Sequence, residues 1–309
     1  MPTQTFVSFE AYADAIRSAN LRAIFQGPQH TNWALSYLTM NNLTVQWGQN
    51  GGHNVIEGTV EPGGVGILMP CQNVESVCGN GRTFDASSLM VFRPGDEFCM
   101  TATSWNRWFS VFVPNEIRAE WGETPAAIGS STGVIQISLS RAERLRSAME
   151  RLAWIVRKAP AAFESPAVLN TTARKLGQTI RECLGGDMDA TSRPGRREVP
   201  RKQIVCKAMD FADQSAGEYL SLQGLATAAG VSERTLRTAF HEYFGTGPVR
   251  FLKLRTLYQA RQALRASDPS KTTVAEIATR FGVWEFGRFA RDYCSLFGEL
   301  PSETLRHLH

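Results

Sequence analysis

Leu225-Ala226-Thr227-Ala228-Ala229-Gly230-Val231 returns 52 residues later as Ile277-Ala278-Thr279-Arg280-Phe281-Gly282-Val283. Each copy runs into a stretch with large apolar residues four apart: Leu236, Phe240 and Phe244, then Phe289, Tyr293 and Phe297. That spacing is close to one helical turn, so each set lines one face of a helix. Each stretch stops at a glycine (Gly245, Gly298), with a proline three residues on (Pro248, Pro301). Glycine takes the left-handed C-terminal position and proline blocks continuation. An apolar helix, a glycine turn and a second helix with polar residues outward is the sequence form of a helix-turn-helix. Two in tandem predict a protein that reads two neighbouring segments of a DNA groove, about 34 Å apart on one face of B-DNA.

The first unit spans residues 222–245. Ser221 is placed to cap its first helix and Ser232 its second, each oxygen accepting an otherwise orphan amide. Gly230 supplies the turn, Val231 plugs the angle, and Ser232, Glu233, Arg234, Arg237, Thr238 and His241 are left facing outward. The second unit spans 273–298 and opens with Thr273-Val274-Ala275-Glu276, a capping box. Its first helix is read as ending at Gly282, and its turn is one residue longer than in the first copy. Trp284, Glu285, Phe286, Arg288 and Arg291 stay outside. Candidate DNA contacts are therefore Ser232, Glu233, Arg234, Arg237, Thr238 and His241 in the first unit, and Glu285, Phe286, Arg288 and Arg291 in the second. Arginine suits the task because it bridges guanine O6 and N7 bidentately. Between the units one long helix, 248–266, buries Phe251, Leu254, Leu257, Ala260, Ala263 and Leu264 and acts as a strut.

The remaining residues provide the other domain. At 309 residues, with 43% hydrophobic and 20% charged side chains, the chain has room for two globular cores. Residues 1–198 hold 18 Lys/Arg against 18 Asp/Glu, so the whole net charge of +4 lies with the repeat. No signal-peptide pattern opens the sequence and no run approaches a membrane span. The six cysteines lack CxxC spacing and read as buried thiols. The expected location is cytoplasmic, on the nucleoid, with no membrane partner.

The expected fold class is α+β multidomain. A short amphipathic helix over 8–18 precedes predicted strands at 33–40, 43–47, 54–60, 65–69, 88–92, 98–103 and 108–113. They are separated by Gly/Asn/Pro turns in the manner of a small antiparallel barrel or sandwich, of which the β-barrel is the expected form. Helices follow at 141–157, capped by Ser140 with Leu145, Ala148, Met149, Leu152 and Val156 inward, and at 166–184, with Val168, Leu169, Thr172, Leu176 and Ile180 inward. A further helix starts near Arg201. The expected domains are a β-barrel at 1–130, a helical segment at 131–186, a linker at 187–200 and a DNA-binding domain at 201–309.

At residues 201–307 the chain resembles the AraC/XylS family of bacterial transcription regulators. The motifs that carry the likeness are Gly230-Val231-Ser232-Glu233-Arg234-Thr235-Leu236, Phe240, Gly245, Pro248, Val274-Ala275-Glu276-Ile277-Ala278, and the closing run from Phe289 to Glu303. The resemblance implies an all-α domain of seven helices with two helix-turn-helix units. It departs at Val283, where the family has Phe, at Gly287, where it has a polar residue, and at Cys294, where it has Lys. Those departures weight expected base reading toward residues 232–241. Through the opening helix Phe6–Ile16 and the turn Phe92-Arg93-Pro94-Gly95-Asp96-Glu97-Phe98, residues 1–125 resemble the cupin-like sensor barrel of regulators similar to the ethanolamine-operon activators. This implies a small-molecule effector, a homodimer with 131–186 as its dimerisation segment, and contact with RNA polymerase.

Enzyme chemistry lacks its residue patterns. His30, His53 and Glu57 do not form a cupin metal set, so no metal and no cofactor are expected. Neither a Ser/His/Asp grouping, a GxGxxG nor a P-loop occurs. Phe25, Trp33, Trp47, Trp105 and Trp108 are aromatics that suit a pocket or a core. The reading is a sequence-specific regulator, an effector-responsive activator. The alternatives are an enzyme with a catalytic barrel and a DNA-anchoring tail, and a constitutive architectural binder.

Overall fold

Leu43, Val45 and Trp47 alternate with Thr44, Gln46 and Gly48, yet almost the whole strand is buried. Alternation normally marks one buried face; here both faces are covered, because the strand lies in the middle layer of three. The computed structural model describes residues 3–25, 33–121, 125, 128, 132–185, 201–215 and 220–306. The chain divides into two compact units, residues 1–23 with 31–196, and residues 24–30 with 197–309.

In the first unit the strands are β1 (Gln4–Phe6), β2 (Ala19–Phe25), β3 (Trp33–Met40), β4 (Leu43–Asn50), β5 (Asn54–Val60), β6 (Gly64–Gln72), β7 (Val77–Gly79), β8 (Arg82–Thr83), β9 (Ser88–Phe92), β10 (Glu97–Ala102), β11 (Asn106–Pro114) and β12 (Gly133–Gln136). They form a seven-stranded sheet, β1-β3-β4-β11-β6-β9-β12, and a five-stranded sheet, β2-β5-β10-β7-β8. Helices α1 (Phe9–Ala15), α2 (Asn115–Ala119), α3 (Leu139–Lys158) and α4 (Pro166–Leu184) complete the unit. One face of the larger sheet packs Val45, Ile67, Met69, Val91, Phe109 and Val111 against Leu145, Met149, Leu152, Leu176 and Ile180 of α3 and α4. Its other face meets the smaller sheet through Val60, Val77, Met90, Phe92 and Phe98. Each fully buried aliphatic or aromatic side chain here contributes about 1.5–3 kcal/mol.

Four expectations change. The sheets are open, not a closed barrel: β1 and β12 are edges of the larger, β2 and β8 of the smaller. Closure is unnecessary because the second sheet and the helices already cover both apolar faces. Strand β12 pairs with β9, and α3 and α4 share the sheet's core, so the helical segment is a layer of this unit. Ser138, not Ser140, precedes α3. The packed face of α4 runs through Ala173, Leu176, Gly177, Ile180 and Cys183, which leaves Val168 exposed on the first turn. The linker expected at 187–200 lies outside the described residues.

The second unit contains α5 (Arg201–Gln214), α6 (Leu222–Ala229), α7 (Glu233–Phe244), α8 (Pro248–Ala266), α9 (Val274–Arg280), α10 (Phe286–Phe297) and α11 (Pro301–Arg306). Ser221 caps α6 through the Gly224 amide, and Ser232 caps α7 through the Thr235 amide. Gly230, Gly245, Gly282 and Gly298 all take φ between 69° and 75°, a conformation in which a Cβ is strained. Helix α9 stops at Arg280, two residues before the expected end, because Gly282 has already turned left-handed. Helix α8 joins the two halves. Phe251 stacks on Phe244 with centroids 3.7 Å apart, Tyr258 meets Phe297 at 5.0 Å, and Arg261 lies over Phe297 at 4.4 Å.

Candidate functional site

Helix α7 buries Leu236, Ala239, Phe240, Tyr243 and Phe244, and this fixes what faces water. Ser232, Glu233, Arg234, Arg237, Thr238 and His241 are all exposed, forming one continuous polar side. Arg237 pairs with Glu233 one turn earlier at 3.4 Å. Both partners are solvated, so the pair contributes only about 0.3–0.5 kcal/mol and is easily exchanged for another anionic partner. Thr238 donates its hydroxyl to the Arg234 carbonyl at 3.0 Å, which turns it back onto its own helix.

Helix α10 has the same frame and a different surface. Phe289, Tyr293 and Phe297 are buried, while Glu285, Phe286, Gly287, Arg288 and Arg291 are exposed. Its N-terminal residue Glu285 makes no capping bond and pairs instead with Arg288 at 3.4 Å. Arg288 also lies 3.9 Å from Asp292, whose carboxylate is gripped by Lys253 of α8 at 2.7 Å. A cation between two carboxylates presents less positive potential than Arg234 and Arg237. Trp284 is 68% exposed and Phe286 43%. Trp284 is absent from the sequence-derived contacts although its apolar face suits a thymine methyl.

The supporting contacts were not legible from periodicity. Arg255 and Arg261 of α8 are buried among its apolar residues. Arg255 binds Asp213 and Arg261 binds Glu299 at 3.2 Å. Glu299 also accepts from Thr304, whose hydroxyl is 2.8 Å from that of Tyr293. Two basic residues of this unit thus brace the frame. The signal was present in their positions: Arg255 and Arg261 fall on the stripe marked by Phe251, Leu254, Leu257 and Leu264.

A cavity of about 90 Å³ lies between the two sheets of the first unit. Its walls include Gln46, Ile56, Leu68, Met100, Trp108 and Phe112. Of the aromatics singled out from sequence, Trp108 lines this cavity. Trp33 packs against Phe9 and Tyr12, and Trp47 donates to the Met149 carbonyl of α3 at 3.2 Å. Trp105 is 46% exposed. The polar lining was missed because it comes from separate strands. Its trace on β4 is Gln46 and Asn50 among apolar neighbours. No helix among the described residues is long and apolar enough to cross a membrane.

Comparisons with known proteins place the strongest similarity in the second unit. A family described as a helix-turn-helix domain matches residues 225–307. A probable thc operon regulatory protein of Rhodococcus erythropolis is 41% identical over 103 residues, 33% of this chain and 31% of that protein. XylDLEGF operon transcriptional activator 1 of Pseudomonas putida is 26% identical over 230 residues, 74% of this chain and 67% of that protein. The solved structure of a probable AraC family transcriptional regulator from Rhodopseudomonas palustris is 32% identical, with a TM-score of 0.31, and covers 34% of this chain and 97% of that one. The chain therefore spans about a third of the first relative and two thirds of the second.

Proposed function

The chain belongs, through its helix-turn-helix region at residues 225–307, to the AraC/XylS family of transcription regulators, and from that premise we propose that it is an effector-responsive activator working in the cytoplasm on double-stranded DNA. The observation that carries this reading is the pairing of two exposed polar helix faces, on α7 and α10, with one strut. Phe251 ties α8 to α7, and Tyr258 and Arg261 tie it to α10. A rigid link of this kind favours simultaneous insertion into successive major-groove segments. In this reading α6–α7 and α9–α10 are the two helix-turn-helix units.

Arg234, Arg237, Thr238 and His241 then face bases and phosphates in the first groove, with Ser232 and Glu233 at the helix start. In the second, Arg288 and Arg291 hold backbone while Glu285 and Phe286 border the bases. Specificity is weighted toward α7, because Gly287 brings no side chain and Arg288 is flanked by acids.

The first unit is the sensor, with the cavity between its sheets as the effector site. A homodimer is supported by α3, where Trp154 and Ile155 remain exposed. Contact with RNA polymerase follows from the activator role, and no catalytic step is assigned. The deciding experiment is selection from a random duplex pool with the purified chain, followed by sequencing. Enrichment of a two-part site is expected. Recovery of unenriched DNA would sink the regulator reading.

A further inference from the structure

We infer that the ligand of the cavity in the first unit is an uncharged, mainly apolar small molecule carrying at most a hydroxyl or carbonyl group; this rests on the sensor reading above. The side-chain amides and the indole of the lining already have hydrogen-bond partners. Gln46 accepts from the Arg17 amide at 2.8 Å and donates both to the Arg17 carbonyl at 3.1 Å and to the Ser110 hydroxyl at 3.2 Å. Asn50 and Asn54 bond each other, at 2.6 Å in one direction and 3.3 Å in the other. Asn106 donates to the Ser104 carbonyl at 3.2 Å. The Trp108 indole donates to the Tyr12 hydroxyl at 2.9 Å.

Charge points the same way. Among the described residues lining the cavity, Arg17 is the one charged side chain. Its guanidinium stacks on the Tyr37 ring at 3.6 Å, and Tyr37 is not part of the lining. Arg17 thus meets the polar wall through its backbone, bonded to Gln46. An ionised carboxylate or ammonium placed between the sheets would give up hydration with no counter-ion directed at it, a costly exchange. A neutral group needs only the second amide proton of Asn50, which the Asn50–Asn54 pair leaves over.

The apolar wall is arranged for such a guest. Ile56, Leu68, Met100 and Phe112 point between the sheets yet stay only half-buried. The volume is below the roughly 150 Å³ that holds benzene, so one ring or a short branched chain fits after a small shift. Met100 is the adaptable wall.

The test is thermal unfolding of the full chain with matched probes. Cyclohexanol and benzyl alcohol are the neutral pair; cyclohexanecarboxylate, benzoate and benzylammonium are the charged counterparts at equal concentration. The neutral probes are expected to raise Tm in a dose-dependent way, with at least a tenfold weaker response from each charged one. Leu68→Trp, which fills the cavity, is expected to abolish the response, and Leu68→Phe does so more gently if the larger ring misfolds. Equal or tighter binding of a charged probe overturns the inference and leaves the sensor reading standing. Absence of any shift with both neutral probes also overturns it. Cavity binding that leaves affinity for the selected DNA unchanged supports the ligand class and removes the sensor role.

Discussion

Arg255 grips Asp213 through both terminal nitrogens, at 2.6 and 3.0 Å, and so locks helix α8 to helix α5. The two ends of this pair differ in exposure: Arg255 is buried and Asp213 more than half open to solvent. Asp213→Asn is expected to cost about 1–2 kcal/mol, because a buried guanidinium keeps only a neutral acceptor. Arg255→Met retains the packing of the stem and should cost less than Arg255→Ala. Denaturant unfolding of the three variants provides the check; an Asp213→Asn variant as stable as the parent would remove the clamp from the account.

Gly287 sits inside α10, and a Cβ there meets nothing within 4 Å. Gly287→Ala should therefore stabilise the second unit by about 0.5–1 kcal/mol, through the lower conformational entropy of the unfolded chain. A lowered Tm would show that the helix start needs glycine.

The capping box at the start of α9 should make the stability of the second unit pH-sensitive. The Thr273 backbone N–H, at 2.8 Å, and then its side chain hold the Glu276 carboxyl below the ordinary carboxylate range. Its contribution is therefore complete above the unfolded pKa and is lost as pH falls through the folded value. Thermal unfolding from neutral pH down to about pH 3 should show a steeper loss for the parent than for Glu276→Gln. Parallel curves would contradict it.

Gly48 faces Trp108 across the β4–β11 ladder, and a Cβ on Gly48 would lie 2.2 Å from the indole. Gly48→Ala must push the ring away and break its bond to Tyr12, at about 1–3 kcal/mol for the overpacking. A shift in tryptophan emission together with lower stability is the expected outcome. Gly48→Ala with parental emission would mean the ring relaxes without leaving its partner.

Arg237→Ala should weaken binding to the selected DNA by about 1–3 kcal/mol and relax preference at one position. Arg288→Ala should weaken it less and evenly across sequences, with a shallower salt dependence. Titrations at several salt concentrations separate the two. The reverse ranking would move specificity to α10.

Much of the second unit could be read from residue order, because its determinants are local. Ser221, Ser232 and the Thr273–Glu276 box act within one turn of helix, and Gly230, Gly245 and Gly298 act at single positions. The apolar residues four apart are buried as their period requires. The two copies also differ in sequence at Gly287 and Cys294.

What sequence alone determined, then, is the tandem frame, the strut and the polar face of α7: each follows from 3.6-residue periodicity and capping chemistry inside one segment. Only the tertiary structure decided how the first unit closes its core, as open sheets under two helices, because strand order and register depend on pairing between distant segments. Only it brought Gln46, Asn50, Asn54 and Ser110 to one cavity, and joined Arg255 to Asp213 and Arg261 to Glu299. Periodicity marks which side of an element turns inward, but the partner met there is set by the packing of the whole unit.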